Sequence, residues 1–404
     1  MRPHHRLLTV LAGASALVVT TATLPAWAAP VTPYHVPFPC GETWTGSTRA
    51  GHSPSSKSVD FNRNPDLGAP VVAAAAGVVT TAHGTAKGGY GLWVVVDHGN
   101  DESSLYAHLS SVTVAVGQRV DQGMMIGTLG ESGNARGSHL HFEQRVGKKV
   151  VEPWFAGARY AYGAVTSANC VDVPLAGNFV GDSRAEVAVF RRAKRSTFLV
   201  SQPGAAPISL RFGKAFDEPL VGDWNGDGQL DVGVRTPKAS KFKLRLGAGQ
   251  VTRLRFGLPS DQPVSGDWDG NGVTDIGVRR AVDGTFWQRM PDGSTAPVWL
   301  GDADDLPVTG DWDGDRRTDL GVFDQATATF TLRTVGADGL PVLHVHQFGV
   351  AGDQPVTGDW DGNGTTDLAV WSPSTATFSQ SVSAAPAAAR AVVRTVRFGA
   401  PRGR

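Results

Sequence analysis

A short block recurs along the C-terminal half of this 404-residue chain, and it limits the possible folds more than any other feature. GDWNGDGQLDVGV starts at Gly222, GDWDGNGVTDIGV at Gly266, GDWDGDRRTDLGV at Gly310 and GDWDGNGTTDLAV at Gly358. A worn copy, GNFVGDSRAEVAV, starts at Gly177, so successive copies lie 44–48 residues apart. Each copy leads into a Phe-bearing run and then an F-G or L-G pair: Phe212-Gly213, Phe256-Gly257, Leu300-Gly301, Phe348-Gly349 and Phe398-Gly399. Each unit offers four short β runs; in the fourth they are LPVTG, DLGVF, TFTLRT and LHVHQF. A unit this small cannot bury its apolar face alone and must stack on its neighbours. Four strands per unit at this period predict a β-propeller of five blades over 173–404. An open array, or a ring closed with another chain, satisfies the same pattern.

Each of the four clear copies reads D-x-[DN]-x-[DN]-x-x-x-D. The sets are Asp223, Asn225, Asp227, Asp231; Asp267, Asp269, Asn271, Asp275; Asp311, Asp313, Asp315, Asp319; and Asp359, Asp361, Asn363, Asp367. Alternating oxygen ligands around a glycine turn suit a hard cation, and carboxylates this close repel one another without one. Three to four structural Ca²⁺ ions are therefore expected. The loops lack the twelfth-position Glu of an EF-hand. A metal-free turn rich in Asx hydrogen bonds is the competing reading. Arg316 stands where a turn glycine belongs, which weakens the Asp311 copy; the worn copy has Val180 in a ligand slot and Glu186 at its end, and no ion is expected in that copy. These loops resemble FG-GAP/VCBS repeats. The resemblance implies a propeller architecture and says little about what the propeller binds.

The N-terminus reads as a secretory signal peptide over 1–28. Arg2 and Arg6 precede an apolar run from Leu7 to Val19, and Ala26-Trp27-Ala28 is a cleavage site. No later segment is long and apolar enough to cross a bilayer. The protein is thus expected to be secreted, extracellular or cell-wall associated. An oxidising compartment gives meaning to the two cysteines, Cys40 and Cys170, which are expected to pair. Their disulfide would bracket one domain. The 37 basic residues balance the 37 acidic ones, leaving no basic field to recommend nucleic acid. The expected divisions are an N-terminal segment at 29–44, a catalytic domain at 45–155 and a linker carrying Cys170 at 156–172. The first of these is too short for a folded inhibitory prosegment.

Between the cysteines, short β runs alternate with glycine-rich turns: APVVAAAAGVVTTA, GLWVVVDHG, SSLYAHLSSV, GMMIGTLG and SHLHFEQRV. VAVGQRVDQG reads as a connecting turn. In SHLHFE, period-2 alternation places His139 and His141 on one face and Leu140 and Phe142 in a core. A lone H-x-H is more often two ordinary strand residues than a site. His344 and His346 repeat that spacing with no carboxylate nearby. Here, however, GHSPSSKSVDFN supplies His52 and Asp60, and SSLYAHLSS supplies His108. His52, Asp60 and His141 form a two-histidine, one-carboxylate set. Catalytic Zn²⁺ takes three such ligands and keeps a position for water, whose pKa it lowers. His139 is placed to act as the general base, and His108 to stabilise the oxyanion. His98, in a turn, and His83, in a loop, read as structural.

These residues carry a resemblance to the lysostaphin-type (LytM) zinc endopeptidases. It rests on His52 with VDFN at 59–62, APVVAAAAGVV at 69–79, YGLWVVVDHG at 90–99, LYAHLS at 105–110, VGQRVDQGMMIG at 116–127 and GESGNARGSHLHFE at 130–143. The resemblance implies a small two-sheet antiparallel β domain with a groove over one Zn²⁺ held by His52, Asp60 and His141. It implies His108 and His139 as the catalytic pair, and cleavage of amide bonds in peptidoglycan stem peptides or cross-bridges. The family's first motif often has a shorter His-to-Asp spacing, and Asp66 is the fallback ligand. The whole chain therefore reads as all-β: a zinc metalloendopeptidase followed by a Ca²⁺-binding propeller that attaches to wall polysaccharide or a surface protein. The alternative is a non-catalytic wall-binding protein that activates another hydrolase.

Overall fold

A computed structural model describes residues 29–83, 88–193, 195–247, 249–382 and 392–400. The expected signal peptide lies outside the described residues. Among those described, regular structure is β apart from single 3₁₀ turns at Pro237–Ala239 and Ala281–Asp283. No helix among them is long and apolar enough to cross a membrane.

The first body uses β1 (Thr43–Ser47), β2 (Val59–Asn62), β3 (Pro70–Val72), β4 (Gly77–His83), β5 (Leu92–Gly99), β6 (Glu102–Val112), β7 (Arg119–Val120), β8 (Met125–Leu129) and β9 (Leu140–Val146). The short strands β10 (Lys149–Val150), β11 (Trp154–Phe155), β12 (Ala158–Arg159) and β13 (Gly163–Thr166) complete it. An 11-stranded antiparallel sheet runs β13-β1-β2-β9-β6-β5-β4-β7, with β10 on β9, and with β8 joining β6 to β3. β6 bridges two layers: Glu102–Ala107 pairs with β9, whereas Leu109–Val112 pairs with β8. The two expected sheets are thus continuous through one long strand.

The apolar alternation expected of SHLHFE is present: Leu140 and Phe142 are fully buried with Val59, Phe61 and Tyr106. Burying a side chain such as Phe61 or Phe142 stabilises the fold by roughly 1.5–3 kcal/mol. The stretch before β1 joins the same core through Tyr34, Val36 and Phe38, and the Phe38 ring stacks on Trp44 at 3.6 Å. Cys40 and Cys170 are disulfide-bonded, and Gly41 N donates to Ser167 O at 2.8 Å beside them. Four local expectations need correction. The run at 69–82 divides into β3 and β4, the turn at 114–123 contains β7, His83 ends a strand instead of lying in a loop, and His98 lies within β5 instead of in a turn.

Five four-stranded antiparallel sheets follow. They are β14 (Asp172–Gly177), β15 (Glu186–Arg191), β16 (Thr197–Val200), β17 (Ile208–Arg211); β18 (Glu218–Gly222), β19 (Asp231–Thr236), β20 (Lys241–Leu246), β21 (Gln250–Arg255); and β22 (Gln262–Gly266), β23 (Asp275–Arg280), β24 (Thr285–Arg289), β25 (Thr295–Trp299). The last two are β26 (Leu306–Gly310), β27 (Asp319–Asp324), β28 (Thr329–Val335), β29 (Pro341–Gln347); and β30 (Gln354–Gly358), β31 (Asp367–Ser372), β32 (Thr377–Val382), β33 (Val392–Arg397). The inner strands contact one another in the cycle β14-β18-β22-β26-β30-β14, giving a closed five-blade, propeller-like ring.

The repeat motif makes the joints. Thr274 N, Thr318 N and Thr366 N donate to Asp223 O, Asp267 O and Asp311 O of the preceding blade at 2.7, 2.8 and 2.7 Å. Each Thr hydroxyl accepts the matching Asp N–H at 2.9 Å. Ala185 N donates to Asp359 O at 2.7 Å, so the worn copy receives the last blade and closes the ring without a hydroxyl.

Candidate active site

The antiparallel pairing of β2 with β9 sets Asp60 directly opposite His141, and β6 sets Ala107 opposite His141 on the other side. His52 comes from the loop between β1 and β2. Its Nδ1 lies 3.2 Å from Thr48 Oγ1, which itself donates to Ser56 O at 2.7 Å. His52 Nε2 stands 3.1 Å from Asp60 Oδ2, and His141 Nδ1 stands 3.1 Å from Asp60 Oδ1. One ligand atom from each of the three residues lies within 4.8 Å of the others, and all three residues are buried. The long His52-to-Asp60 spacing is therefore accommodated. Asp66, the fallback, is elsewhere: its Oδ1 accepts from Ser138 Oγ and its Oδ2 from Arg63 N.

His108 reaches the site through a β-bulge. Between β5 and β6 the register slips, with Leu92 opposite Leu109 but Val94 opposite Tyr106. His108 sits in the slip at φ +60°. A bulge re-aims one side chain and sharpens the local bend. The ring then lies 4.8 Å from that of His139 and 5.8 Å from that of His141, centre to centre. His139 precedes β9 by one residue instead of lying within it, so the expected shared strand face applies to His141 alone. Its Nε2 still comes within 3.7 Å of Asp60 Oδ1. The loop at 130–139 that carries it is pinned on the start of β5, where Gly91 and Gly133 (φ +64° and +73°) approach so closely that a Cβ on either would strike the other's backbone.

Hydrogen bonding fixes the tautomers. A carbonyl oxygen only accepts, so the contacts of His108 Nδ1 with Ser132 O (2.8 Å) and of His139 Nδ1 with Gly137 O (2.9 Å) place N–H groups at both Nδ1 atoms. Neutral rings then carry a lone pair at Nε2. Burial holds the His108 pKa down at about 4. Burial also lowers that of His52, against the pull of Asp60. His141 is raised: burial opposes its charge, but bonds to Asp60 and Glu143 outweigh that. The Asp60 carboxyl is also buried, yet the His141 bond and the surrounding imidazoles keep it below the usual carboxylate range.

Sequence reading missed a second carboxylate. Glu143 shares the His141 face of β9 and is 1% exposed. Its Oε1 accepts from His141 Nε2 at 2.8 Å and from Tyr90 Oη at 2.7 Å, while Arg145 Nε donates to its Oε2 at 2.6 Å. The period-2 step His139, His141, Glu143 was the available signal. With Nε2–H engaged by Glu143, Nδ1, 3.1 Å from Asp60 Oδ1, is the nitrogen of His141 that can bind a metal once it carries no proton. Two neutral imidazoles and a carboxylate, buried and convergent, fit Zn²⁺. His98 is structural as expected, held between Ala76 O and Ser104 Oγ, both at 2.7 Å.

In the acidic loops, Asp267, Asp269, Asp275, then Asp311, Asp313, Asp315, then Asp359, Asp361, Asp367 converge. Asp319 is outside its cluster and accepts Trp312 N at 3.2 Å. In the earliest clear copy, Asp223, Asp227 and Asp231 do not form such a group among the described residues, and Asn225 Nδ2 bonds Asp227 Oδ2 at 2.9 Å. The leading carboxylates organise the turns themselves; Asp223 accepts Gly226 N and Gly228 N, both at 2.7 Å. The closing carboxylates differ. Asp231 Oδ2 and Asp275 Oδ2 are buried with no hydrogen-bond partner.

Residues 55–153 match the description "Peptidase family M23", a stretch that begins just after His52 and includes Asp60, His108, His139 and His141. The chain is 44% identical over 86 residues to a DD-carboxypeptidase/endopeptidase, Mpg, of Neisseria meningitidis serogroup B, covering 21% of this chain and 19% of that protein. It is 39% identical over 77 residues to the peptidoglycan DD-endopeptidase ShyA of Vibrio cholerae, covering 19% of this chain and 17% of that protein. It thus spans about a fifth of the length of these relatives. The lipoprotein NlpD of Yersinia enterocolitica is 38% identical over 86 residues, 21% of this chain but 87% of that sequence.

Proposed function

The chain belongs to peptidase family M23, and on that premise we propose that it is a secreted zinc metalloendopeptidase that hydrolyses amide bonds in peptidoglycan stem peptides or cross-bridges. One observation carries the reading: ligand atoms of His52, Asp60 and His141 converge within 4.8 Å, with His139 Nε2 at 3.7 Å from Asp60 Oδ1, in a groove of about 770 Å³. His52, Asp60 and His141 would hold the cation. When bound, it supplies Lewis-acid chemistry, acidifying a water and polarising the scissile carbonyl.

The remaining work falls to the chain. His139 Nε2 accepts a proton from the attacking water and returns it to the amine as the amide C–N bond breaks. His108 Nε2 is a second acceptor that orients the water. It can donate to a developing oxyanion, the role expected from sequence, only after gaining a proton, and its burial resists that at neutral pH. Glu143 holds the His141 ring, and Tyr90 and Arg145 hold Glu143.

The same reading divides the chain near Cys170 and makes the ring an FG-GAP/VCBS-type propeller that binds Ca²⁺ and attaches the enzyme to wall polysaccharide or a surface protein. Attachment would raise the local concentration of enzyme at an insoluble substrate. The test is release of free amino groups from purified peptidoglycan by zinc-loaded protein, with His141→Ala as control. Equal, background release from both would remove the enzyme and favour a non-catalytic activator of another hydrolase.

A further inference from the structure

The carboxylate that is not a metal ligand still bears on the site. We propose that Asp66 is a positioning residue for His139, acting through Ser138. The inference rests on the hydrolase reading above, in which His139 takes the proton, and names what holds that base in place. His139 needs such a hold. The pairing of β9 with β2 begins at Leu140, so no ladder bond fixes the residue before it. His139 N reaches Gly130 O at 3.3 Å, and its Nδ1–H closes on Gly137 O. Gly137 N donates to Glu131 Oε1 at 2.7 Å. All these partners belong to the same loop at 130–139. The loop's ties to β5 and β6 come earlier, at Ser132, whose Oγ accepts from Leu92 N at 2.9 Å and donates to Leu109 O at 2.7 Å. From Ala135 to His139, the bond that Ser138 Oγ donates to Asp66 Oδ1 is the one hydrogen bond that leaves the loop among the described residues.

Asp66 is itself held firmly. It lies in the connection between β2 and β3 and is buried. Its Oδ2 accepts from Arg63 N at 3.4 Å, and its backbone carbonyl accepts from Ala69 N at 2.9 Å. Leu129, at the end of β8, exchanges backbone bonds with Gly68 and Ala69, both at 2.8 Å. Both carboxylate oxygens of Asp66 are thus engaged, and neither joins the convergent set of His52, Asp60 and His141. The connection that carries Asp66 leaves β2, the strand that presents Asp60. Metal ligand and base are therefore referred to one stretch of chain. A hydroxyl bound to a carboxylate is held about twice as strongly as one bound to a neutral acceptor. Anchoring Ser138 limits where the next residue can place its Nε2. A general base must come within about 2.6–3.2 Å of its proton donor, and a shift of about 1 Å can cost about 100-fold in rate.

The test uses full-length, zinc-loaded protein and a soluble cross-linked muropeptide, read as released amino groups. Ser138→Ala should lower kcat by about 10–100-fold and leave KM within about twofold. Ser138→Thr keeps the hydroxyl and should recover most of the loss. Asp66→Asn keeps an acceptor oxygen and should lose less than Asp66→Ala. Asp66→Ala combined with Ser138→Ala should be no slower than the worse single variant, because both remove the same link. Zinc affinity, from competition with a chromophoric chelator, should stay unchanged throughout. In the imidazole proton–nitrogen spectrum of Ser138→Ala, the His139 signals should move more than those of His52 and His141. Unchanged kcat in Ser138→Ala, a Thr variant as slow as the Ala variant, additive losses in the double variant, loss of zinc in step with kcat, or His139 signals that stay in place would each overturn the inference and leave the hydrolase standing. No release by the wild type would remove both.

Discussion

His141 Nε2 lies 2.8 Å from Glu143 Oε1, two residues along the same face of β9, and both side chains are buried. Nitrogen donates and carboxylate accepts, so this contact decides which ring nitrogen of His141 is left to bind a metal. Partners of this kind set ligand orientation and basicity, and losing one typically weakens metal binding about 10–100-fold. Glu143→Ala should therefore weaken zinc binding by that factor in competition with a chromophoric chelator, before any activity is measured. Glu143→Gln keeps an oxygen acceptor for Nε2 and should fall between the two. An unchanged zinc affinity in the Ala variant would make the contact incidental.

Arg316 offers a test of the repeat's turn. It adopts φ +70° in the slot that Gly228, Gly272 and Gly364 fill at +85°, +83° and +89°. Left-handed backbone costs a side-chain-bearing residue about 1–2 kcal/mol, and the extra freedom that glycine has in the unfolded chain returns part of that. Arg316→Gly should stabilise the propeller by about 0.5–1 kcal/mol in denaturant titration followed by tryptophan fluorescence. Destabilisation would mean that the Arg316 side chain contributes more than its backbone strain removes.

The sequence exposed chemistry better than it exposed aim. His52, Asp60, His108, His139 and His141 were legible because few histidines and one well-placed Asp fit a metal-site spacing. What puts His108 in the groove is a bulge between β5 and β6, and a bulge depends on how two strands pair, not on the residues of one. His139 looked like a strand residue because period-2 alternation does not mark where a ladder begins. Glu143 was visible two residues beyond His141 but reads like an ordinary charged strand end until its neighbours are known. The break between β3 and β4 falls inside an alanine run, Ala73–Ala76, with no proline or glycine until Gly77. The blades were legible because the repeat prints each turn and joint several times. Ring closure was not, since it depends on Ala185 meeting Asp359 across the whole domain.

The Cys40–Cys170 bond closes a separation of 130 residues. A chain-entropy account makes a link of that length worth up to roughly 4–5 kcal/mol, chiefly by restricting the unfolded state. It ties the segment carrying Tyr34, Val36 and Phe38 to the end of the first body. Cys40→Ser with Cys170→Ser should lower the midpoint of the first unfolding transition and leave the propeller transition in place. Loss of both transitions together would show that the ring depends on the disulfide.

The acidic loops should make the cation-free propeller less stable as pH rises. Burial, reinforced by neighbouring carboxylates, pushes Asp231 and Asp275 up to about 6. Burial, against a bond from Trp312 N, and with three nearby aspartates, pushes Asp319 up to about 7. A carboxylate whose folded pKa exceeds its unfolded value near 3.9 binds its proton more tightly in the folded state. That contribution is complete below the unfolded pKa and is lost as pH climbs through the folded values. In chelator-treated protein, the propeller melting temperature should therefore decline between about pH 4 and pH 7 on this account. Added Ca²⁺ should reverse the decline, with its largest effect at the alkaline end, where the sites are ionised, and little at the acid end, where protons occupy them. Melting followed through the buried Trp224, Trp268 and Trp360, which sit in these loops, reports on the ring directly. A calcium shift of the same size at both ends of the range would mean that the ions bind elsewhere. No shift at any pH would leave the loops as turns held by hydrogen bonds alone.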